Sequence, residues 1–158
     1  MTKHYLLITL LLISVYTQAQ EHQETKAIHH ILDQYHRAAA QADGEKYFHL
    51  ITDEAILLGT DKSERWTKKQ FKKFALPFFE QGKGWSYTSK QRHITVMSSG
   101  TVAFFDEVLE NNKYGICRGS GVLILTPQGW RINQYNLSIL LPNGIADKVV
   151  KKIKEFEQ

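Results

Sequence analysis

The sequence predicts an α+β fold in which helices come first and an antiparallel sheet follows them. Apolar residues recur at helical spacing over residues 24–52, whereas residues 85–140 hold four segments rich in β-branched and aromatic residues. Short turns separate these four segments, and an amphipathic helix follows the last of them. This order of elements indicates one domain in which a curved sheet packs on helices.

Length and composition agree with one small domain. The chain has 158 residues, of which 42% are hydrophobic and 23% are charged, so it can bury one core and is not a disordered polymer. Its 20 basic and 16 acidic residues give a net charge of +4, and the lysines are spread over several segments. We therefore expect no nucleic-acid partner.

The first nineteen residues have the three-part layout of a secretory signal peptide. A short basic start is followed by an apolar run from Tyr5 to Val15 and by small residues that lead to Ala19. A membrane-spanning helix needs about 20 apolar residues, and this run is shorter, so we expect no stable membrane insertion. We expect cleavage after Ala19, export to the periplasm or the exterior, and a single domain over residues 20–158.

Two helices, a strand pair and a third helix are expected in the first half of that domain. A break at Asp43-Gly44 divides the helical pattern of residues 24–52. The apolar run Ala55–Leu58 predicts a buried strand, and residues 63–66 predict a short strand that pairs with it. Thr67 and Gln70 then have the spacing of a capping box, which predicts the start of an amphipathic helix. Its apolar face comprises Phe71, Phe74, Ala75, Phe78 and Phe79.

The second half predicts an antiparallel meander and a final helix. The strands are expected over residues 85–97, 101–110, 114–125 and 130–140, joined by turns of hairpin length. Pro142 breaks the pattern, and an apolar stripe on a helix follows it. The stripe comprises Ile145, Val149, Ile153 and Phe156.

The sequence favours neither a metal site nor a nucleotide site, and we expect no cofactor. His29 and His36 are seven residues apart on a helix, which is about 10 Å and not the spacing of helical metal ligands. A single cysteine, Cys117, excludes a disulfide framework and a zinc site of several thiolates. It lies in an apolar strand, where burial is expected. The glycine-rich run 115–121 continues into a strand rather than a helix, which argues against a phosphate-binding loop.

Alternation along the last strands predicts a pocket. On each of these strands, one set of alternate residues is apolar toward one end of the strand and polar toward the other. Small-molecule sites combine apolar walls with a few polar groups in the same way. If these sets line the concave side of a bent sheet, they form an apolar pocket with a few polar groups. The alternative is a structural ion pair between Arg118 and Asp106, with the other polar ends in water. The sets are Phe104, Asp106 and Val108; Arg118, Ser120, Val122 and Ile124; and Ile132, Gln134, Asn136 and Ser138.

These features resemble the nuclear transport factor 2-like superfamily, in particular its SnoaL-like branch, over roughly residues 24–141. The resemblance is carried by the segment Tyr35–Ala55, by the turn Gly129–Ile132 and by the closing Tyr135–Ser138. It implies a cone-shaped, cystatin-like curved antiparallel sheet wrapped on helices, with a pocket inside. It also implies a homodimer, which many members form through the outer face of the sheet.

The resemblance also suggests roles for individual residues. Tyr35 falls where the isomerases of the superfamily keep a pocket tyrosine that donates to a developing oxyanion. Their general-base aspartate would fall near Gly59, so Asp61 is the carboxylate closest in sequence, with Asp106 as a second acid. The glycine at position 59 argues against steroid isomerisation. Because the superfamily includes isomerases, cyclases, dehydratases and binding proteins, the fold alone does not define a reaction.

Three functions are therefore open from the sequence. The first is an exported protein that binds a small apolar or amphipathic molecule. The second is a cofactor-independent isomerase, cyclase or dehydratase that uses Tyr35 with Asp61 or Asp106. The third is a homodimeric association module that uses the alternate sheet face, with Tyr87, Phe105, Leu109, Leu123 and Leu125. For the first function the walls would be Tyr35, Trp66, Trp85 and Phe104, and the polar contacts Asp61, Asp106, Arg118, Ser120, Gln134 and Asn136.

Overall fold

The computed structural model describes residues 22–157, and the expected signal peptide lies outside them. Helix α1 covers residues 22–40 of this part, and helix α2 covers Gly44–His49. Asp43 caps α2, since its carboxylate accepts a hydrogen bond of 3.0 Å from the backbone amide three residues further on. The predicted break between two helices is confirmed.

Strands β1 (Ile51–Leu58) and β2 (Arg65–Thr67) form an antiparallel pair that leads into helix α3 (Lys68–Phe79). The Thr67 hydroxyl accepts from the Gln70 amide, and the Gln70 side chain accepts from the Thr67 amide. The predicted capping box is therefore present. β1 begins earlier than the sequence predicts because its first residues pair with the last strand of the sheet.

Four further strands form the predicted antiparallel meander. They are β3 (Thr88–Val96), β4 (Val102–Asn111), β5 (Gly115–Thr126) and β6 (Gly129–Ile139). The curved open sheet has six strands in the order β2-β1-β6-β5-β4-β3. β1 and β6 run parallel, while the other neighbouring pairs are antiparallel. The sequence did not predict this parallel pairing, which joins the first hairpin to the meander.

The core lies between one face of the sheet and the first three helices. Ile28 and Leu32 of α1 are fully buried, as are Ala103, Leu123 and Ile132 of the sheet. Burial of these apolar side chains is the main contribution to stability. The sheet face that carries these buried side chains is the face that the helices cover, and we call it the inner face.

The expected pocket face is the wrong face of the sheet. On β4 the inner face carries Phe105, Glu107 and Leu109, all buried, so the alternate set beginning at Phe104 lies on the outer face. On β6 a bulge between Ile132 and Gln134 places these two residues on opposite faces, although the sequence grouped them. The expected association face is also not free, because three of its five residues are buried within the protein. These three are Phe105, Leu109 and Leu123.

A 3-10 turn (Asn143–Ile145) and helix α4 (Ala146–Phe156) complete the described residues. Of the apolar stripe that the sequence predicts, Ile145 in the turn and Ile153 and Phe156 on α4 are exposed, Phe156 to 92%, while Val149 is half-buried. Lys62 forms an ion pair with Glu157, which links the end of this helix to the turn after β1. No helix within residues 22–157 combines the length and hydrophobicity that crossing a bilayer requires.

Candidate functional site

A cavity of about 230 Å³ opens between the inner face of the sheet and helices α1 to α3. Its walls are mainly aromatic, and α1, α2, α3, the segment before β3 and the strands all contribute to them. The lining includes Tyr35, His36, Tyr47, Trp66, Phe71, Phe74, Trp85 and Tyr135, with Gly59, Thr60, Glu64, Tyr87 and Tyr114 among the rest.

Ring contacts hold the aromatic walls in place. Trp85 packs against Tyr47 and Phe71, with ring centroids 5.8 and 5.9 Å apart. On the other side, Trp66 stacks on Phe74 at 5.4 Å. Such contacts add to the stabilisation that comes from burial and fix the relative positions of the rings.

Two tyrosines form a buried polar pair in the wall. The Tyr47 hydroxyl donates to the Tyr35 hydroxyl at 2.5 Å, and the two rings stack with centroids 4.5 Å apart. Burial is the main cause that raises the pKa of each tyrosine well above its ordinary value, so both phenols stay protonated at neutral pH. Because Tyr35 accepts from Tyr47, its own proton is available for donation to a bound molecule.

A fully buried carboxylate, Glu107, lies behind this wall. Its Oε1 is 2.6 Å from Nε2 of His36 and 3.2 Å from the Tyr135 hydroxyl, which donates to it. Its Oε2 accepts a hydrogen bond of 2.8 Å from Nε of Arg92. Burial opposes the charge, but the hydrogen bond and charge of His36, followed by those of Arg92, hold the pKa of Glu107 below its ordinary value.

Gly119 makes room for this carboxylate. A Cβ atom at that position of β5 would overlap the Tyr135 hydroxyl and press on Glu107. Gly119 therefore marks a close approach of β5 to neighbouring side chains, which is one of the roles of a glycine inside a strand.

Arg92 of β3 forms ion pairs with two carboxylates, those of Glu107 and Asp33. In addition to the hydrogen bond from its Nε to Glu107, its Nη1 donates to Asp33 at 2.8 Å and to the His29 carbonyl at 3.2 Å. Only 5% of the side chain is exposed. Its positive charge is thus balanced by two carboxylates and does not extend to the cavity lining.

His36 presents a free ring nitrogen. With Nε2 bound to Glu107, Nδ1 makes no hydrogen bond to any described residue, and it is not among the buried polar atoms that lack a partner. The His36 side chain is 11% exposed and lines the cavity, so the ring is not sealed within the core. A carboxylate bound to one ring nitrogen fixes the orientation of an imidazole, an arrangement that proton-transfer sites use.

Glu64 supplies a carboxylate at the cavity mouth. It lies in the turn between β1 and β2, and its Oε2 accepts from the Asp61 amide at 3.2 Å. Any Cβ at Gly59 would overlap this Oε2, so the Glu64 carboxylate fills the space where a side chain at position 59 would begin. A residue of this turn thus provides a carboxylate beside Gly59 in the cavity lining.

The structure brings three of the expected site residues to the cavity and places the others elsewhere. Tyr35, Trp66 and Trp85 line it. Asp61 is exposed in the turn after β1 and accepts hydrogen bonds from the Ser63 amide and hydroxyl. The expected proton shuttle from Tyr35 to Asp61 is therefore not supported by geometry. The outer face of the sheet carries Phe104, Asp106, Arg118, Ser120, Gln134 and Asn136.

The outer-face residues do not form one site with Tyr35. Ser120, Gln134 and Asn136 line a separate open depression together with Val122. Arg118 and Asp106 form no ion pair among the described residues, so the structural alternative is not supported either. Their apolar-to-polar gradient along the strands predicts a pocket only if they line the concave side of the sheet, and the helices cover the other face.

Sequence reasoning missed His36, Tyr47, Glu64 and Glu107. For Glu107 there was a usable signal: it is the one charged residue in the alternating set Ala103, Phe105, Glu107 and Leu109. The seven-residue spacing of His29 and His36 bears only on metal ligation and gives no sign of the contact between His36 and Glu107. Within the described residues, no three of the His, Cys, Asp and Glu side chains are arranged to hold a metal ion.

Comparison with solved structures supports the fold. A candidate scytalone dehydratase from Novosphingobium aromaticivorans superposes with a TM-score of 0.67 at 15% identity, covering 78% of this chain and 89% of its own. A candidate dehydratase of the nuclear transport factor 2-like family from Streptomyces avermitilis gives 0.61 at 12% identity, covering 77% and 99%. A nuclear transport factor 2-like protein with a cystatin-like fold, also from Novosphingobium aromaticivorans, gives 0.64 at 14% identity, covering 87% and 95%.

At these identities the likeness concerns the fold alone. No curated protein matches the sequence at a significant level. The family model of the SnoaL-like domain, however, matches residues 28–142, which is well over half of the chain. This protein therefore belongs to the SnoaL-like domain family.

Proposed function

We propose that this protein binds a small, largely apolar molecule in the aromatic cavity. The observation that supports the proposal is an aromatic cavity in which Tyr35 has a hydroxyl proton to donate. Pockets of this composition, with few polar groups, are typical of small-molecule sites. At about 230 Å³ the cavity is below the range of about 300–1,000 Å³ for drug-sized ligands, so its ligand is smaller than these.

Calorimetric titration with 2-phenylethanol tests this proposal. The probe offers one aromatic ring and one hydroxyl that can accept from Tyr35. Phe74→Ala removes a lining ring that is 44% exposed, and we expect binding to weaken about fivefold. Phe104→Ala is the matched control, since this ring is 49% exposed but lies on the outer sheet face. Equal losses in the two variants would contradict binding in the cavity.

Cofactor-independent proton transfer is a second candidate function. It is favoured by the free Nδ1 of His36, which the buried Glu107 supports, and by the Tyr35 proton in the same lining. His36 would remove a proton from the carbon beside a ligand carbonyl while Tyr35 donates to the carbonyl oxygen, on which charge develops. The β-hydroxyl would then leave as water by taking that proton from His36 as the carbon–carbon double bond forms. Two structurally similar proteins are named as candidate dehydratases, which is consistent with elimination of water.

The dehydration of 4-hydroxy-4-phenyl-2-butanone tests this second candidate. Loss of water gives a conjugated ketone whose ultraviolet absorption reports turnover directly. We expect His36→Gln to abolish the protein-dependent rate and Tyr35→Phe to lower it by about 10²-fold. Turnover that is unchanged in His36→Gln, with circular dichroism showing a folded chain, would exclude the dyad as the base.

We also propose that the protein is exported after removal of residues 1–19. The support is the layout of that segment in the sequence. N-terminal sequencing of the protein recovered from its own host tests this proposal, and we expect the mature chain to begin at Gln20. A chain recovered with Met1 intact would contradict it.

A homodimer through the outer sheet face remains a proposal. Its support is the exposure of Phe104 and the partial exposure of Val122 and Ile124 on that face. Analytical ultracentrifugation at micromolar concentration tests it, and we expect Phe104→Glu to convert a dimer into a monomer. A wild-type chain that sediments as a monomer would contradict this association.

A further inference from the structure

The cavity lining has an uneven charge distribution. Among the described residues that line it, Glu64 is the one carboxylate, and neither lysine nor arginine is present. His36 also lines the cavity, but its Nε2 is bound to Glu107. The negative charge at the mouth therefore has no cationic partner within the lining.

The position of Glu64 is defined by its turn. Its backbone carbonyl accepts from the Gly59 amide at 2.9 Å, and its amide donates to the Asp61 carbonyl at 3.0 Å. Its carboxylate accepts from the Asp61 amide but forms no ion pair within the described part of the chain. A half-buried carboxylate without a counter-ion binds a cation more strongly than a fully solvated carboxylate does.

Aromatic faces surround the same opening. Trp66, Phe74, Tyr87 and Tyr114 all line the cavity, as does Glu64. The ring quadrupole attracts ammonium groups, with tryptophan the strongest, and cages of such rings bind organic cations. A carboxylate beside aromatic rings is thus a combination that favours an ammonium group attached to an apolar body.

Neighbouring basic residues do not neutralise this site. Arg65 directly follows Glu64, but it is exposed and is not part of the lining. Arg92 is bound to Glu107 and Asp33, and Lys62 pairs with Glu157. Nζ of Lys113 lies 4.8 Å from the Tyr114 ring centroid, but this side chain is exposed and is not part of the lining. Water and salt screen its charge more effectively than they screen groups inside the opening.

We infer that the mouth of the cavity is an ammonium site formed by Glu64 and the surrounding rings, so that the ligand class is small arylalkyl amines in their cationic form. This inference rests on the proposed binding function and names its ligand. The apolar body would extend inward between Trp66 and Trp85, and the ammonium group would remain near Glu64.

Titration with three probes of matched size tests the inference. They are 2-phenylethylamine, 2-phenylethanol and phenylacetate, which carry a cation, a neutral group and an anion at neutral pH. We expect the amine to bind about tenfold more tightly than the alcohol, and the carboxylate to bind most weakly. This ranking in the wild-type protein already tests the inference without any variant.

Glu64→Gln tests the residue itself. The amide oxygen of glutamine can still accept from the Asp61 amide, so the turn is retained. We expect the amine to lose its tenfold advantage while the affinity for the alcohol changes less than about twofold. Glu54→Gln is the matched control, because Glu54 is exposed on β1 and is not part of the lining.

The outcomes separate this inference from the proposed function. Binding of the alcohol without any preference for the amine would overturn the ammonium site and leave the binding cavity standing. A preference that persists in Glu64→Gln would also overturn it. Failure of all three probes to bind would count against the binding function and against the inference together.

Discussion

Glu107 and His36 are in contact across the interface between the sheet and α1: their Oε1 and Nε2 atoms are 2.6 Å apart, although the residues are 71 positions apart in sequence. Glu107 has no exposed surface, and Arg92 completes the group on the other side of the carboxylate. A buried charge network of this kind is stable only while all its members are present, because each one compensates the desolvation of the others. The cavity wall therefore depends on an electrostatic assembly as well as on packing.

Replacing Glu107 by Gln should destabilise the protein strongly. The change leaves the Arg92 guanidinium buried with one fewer anionic partner, and breaking a buried pair in this way costs about 3–5 kcal/mol. Urea unfolding followed by circular dichroism measures the loss. Glu110→Gln on the same strand is the control, since its pair with Lys90 is half exposed and should contribute less than about 1 kcal/mol. A loss below about 1 kcal/mol in Glu107→Gln would contradict the network.

Acid should destabilise the folded protein through the same residue. The pKa of Glu107 is lowered in the fold from its ordinary value of 4.5, so the unfolded chain binds this proton more readily. The stability that Glu107 contributes is fully present above pH 4.5 and is lost as the pH falls through the lowered folded value. Melting temperatures across the acidic range, with Glu107→Gln as the reference, measure this effect. An equally steep acid profile in the variant would assign the loss to other groups.

Gly84→Ala should be costly because a backbone atom, and not a movable side chain, occupies the space. A Cβ at Gly84 would overlap the carbonyl oxygen of Ala39 in α1, and the next residue, Trp85, donates its amide to that carbonyl at 3.3 Å. We expect a loss of about 1–3 kcal/mol and a displaced Trp85 ring. Gly144→Ala is the control, because no atom lies within 4 Å of its Cβ position. Chemical denaturation together with tryptophan fluorescence compares the two variants, and equal stabilities would contradict the close approach.

The thiol of Cys117 should be unreactive in the folded protein. It is a free cysteine with no exposed surface, and burial raises its pKa, so little thiolate forms at neutral pH. A chromogenic disulfide reagent should label the native protein far more slowly than the urea-unfolded chain. Rapid labelling under native conditions would show that β5 opens locally.

Local elements could be predicted from the sequence because their causes are local. Thr67 and Gln70 need only three residues of spacing to form the capping box, and Asp43 caps the start of α2 after the break that follows α1. The four strands of the meander follow from turn residues and β-branched composition. These signals do not depend on what each element packs against.

The faces of the strands could not be predicted in the same way. On β4 both alternate sets contain a carboxylate, Asp106 in one and Glu107 in the other, so polarity did not distinguish the covered face. On β6 the bulge moves Gln134 away from the face of Ile132, and nothing in the sequence marks it. The charge network also joins residues from α1, β3 and β4, and such long-range contacts have no short-range signature.

The parallel pairing of β1 with β6 determines when the chain can finish folding. Thr52 donates to Asn133 at 2.7 Å across a separation of 81 residues, and the Ile132 amide donates to the Leu50 carbonyl at 2.9 Å. Pairings this distant in sequence slow folding, because a large loop has to close before any contact compensates its entropy. A growing chain that lacks β6 leaves the edge of β1 unpaired and the core uncovered. Formation of the complete sheet and core therefore depends on β6, the last strand to be synthesised, and the N-terminal half cannot complete its pairing before it.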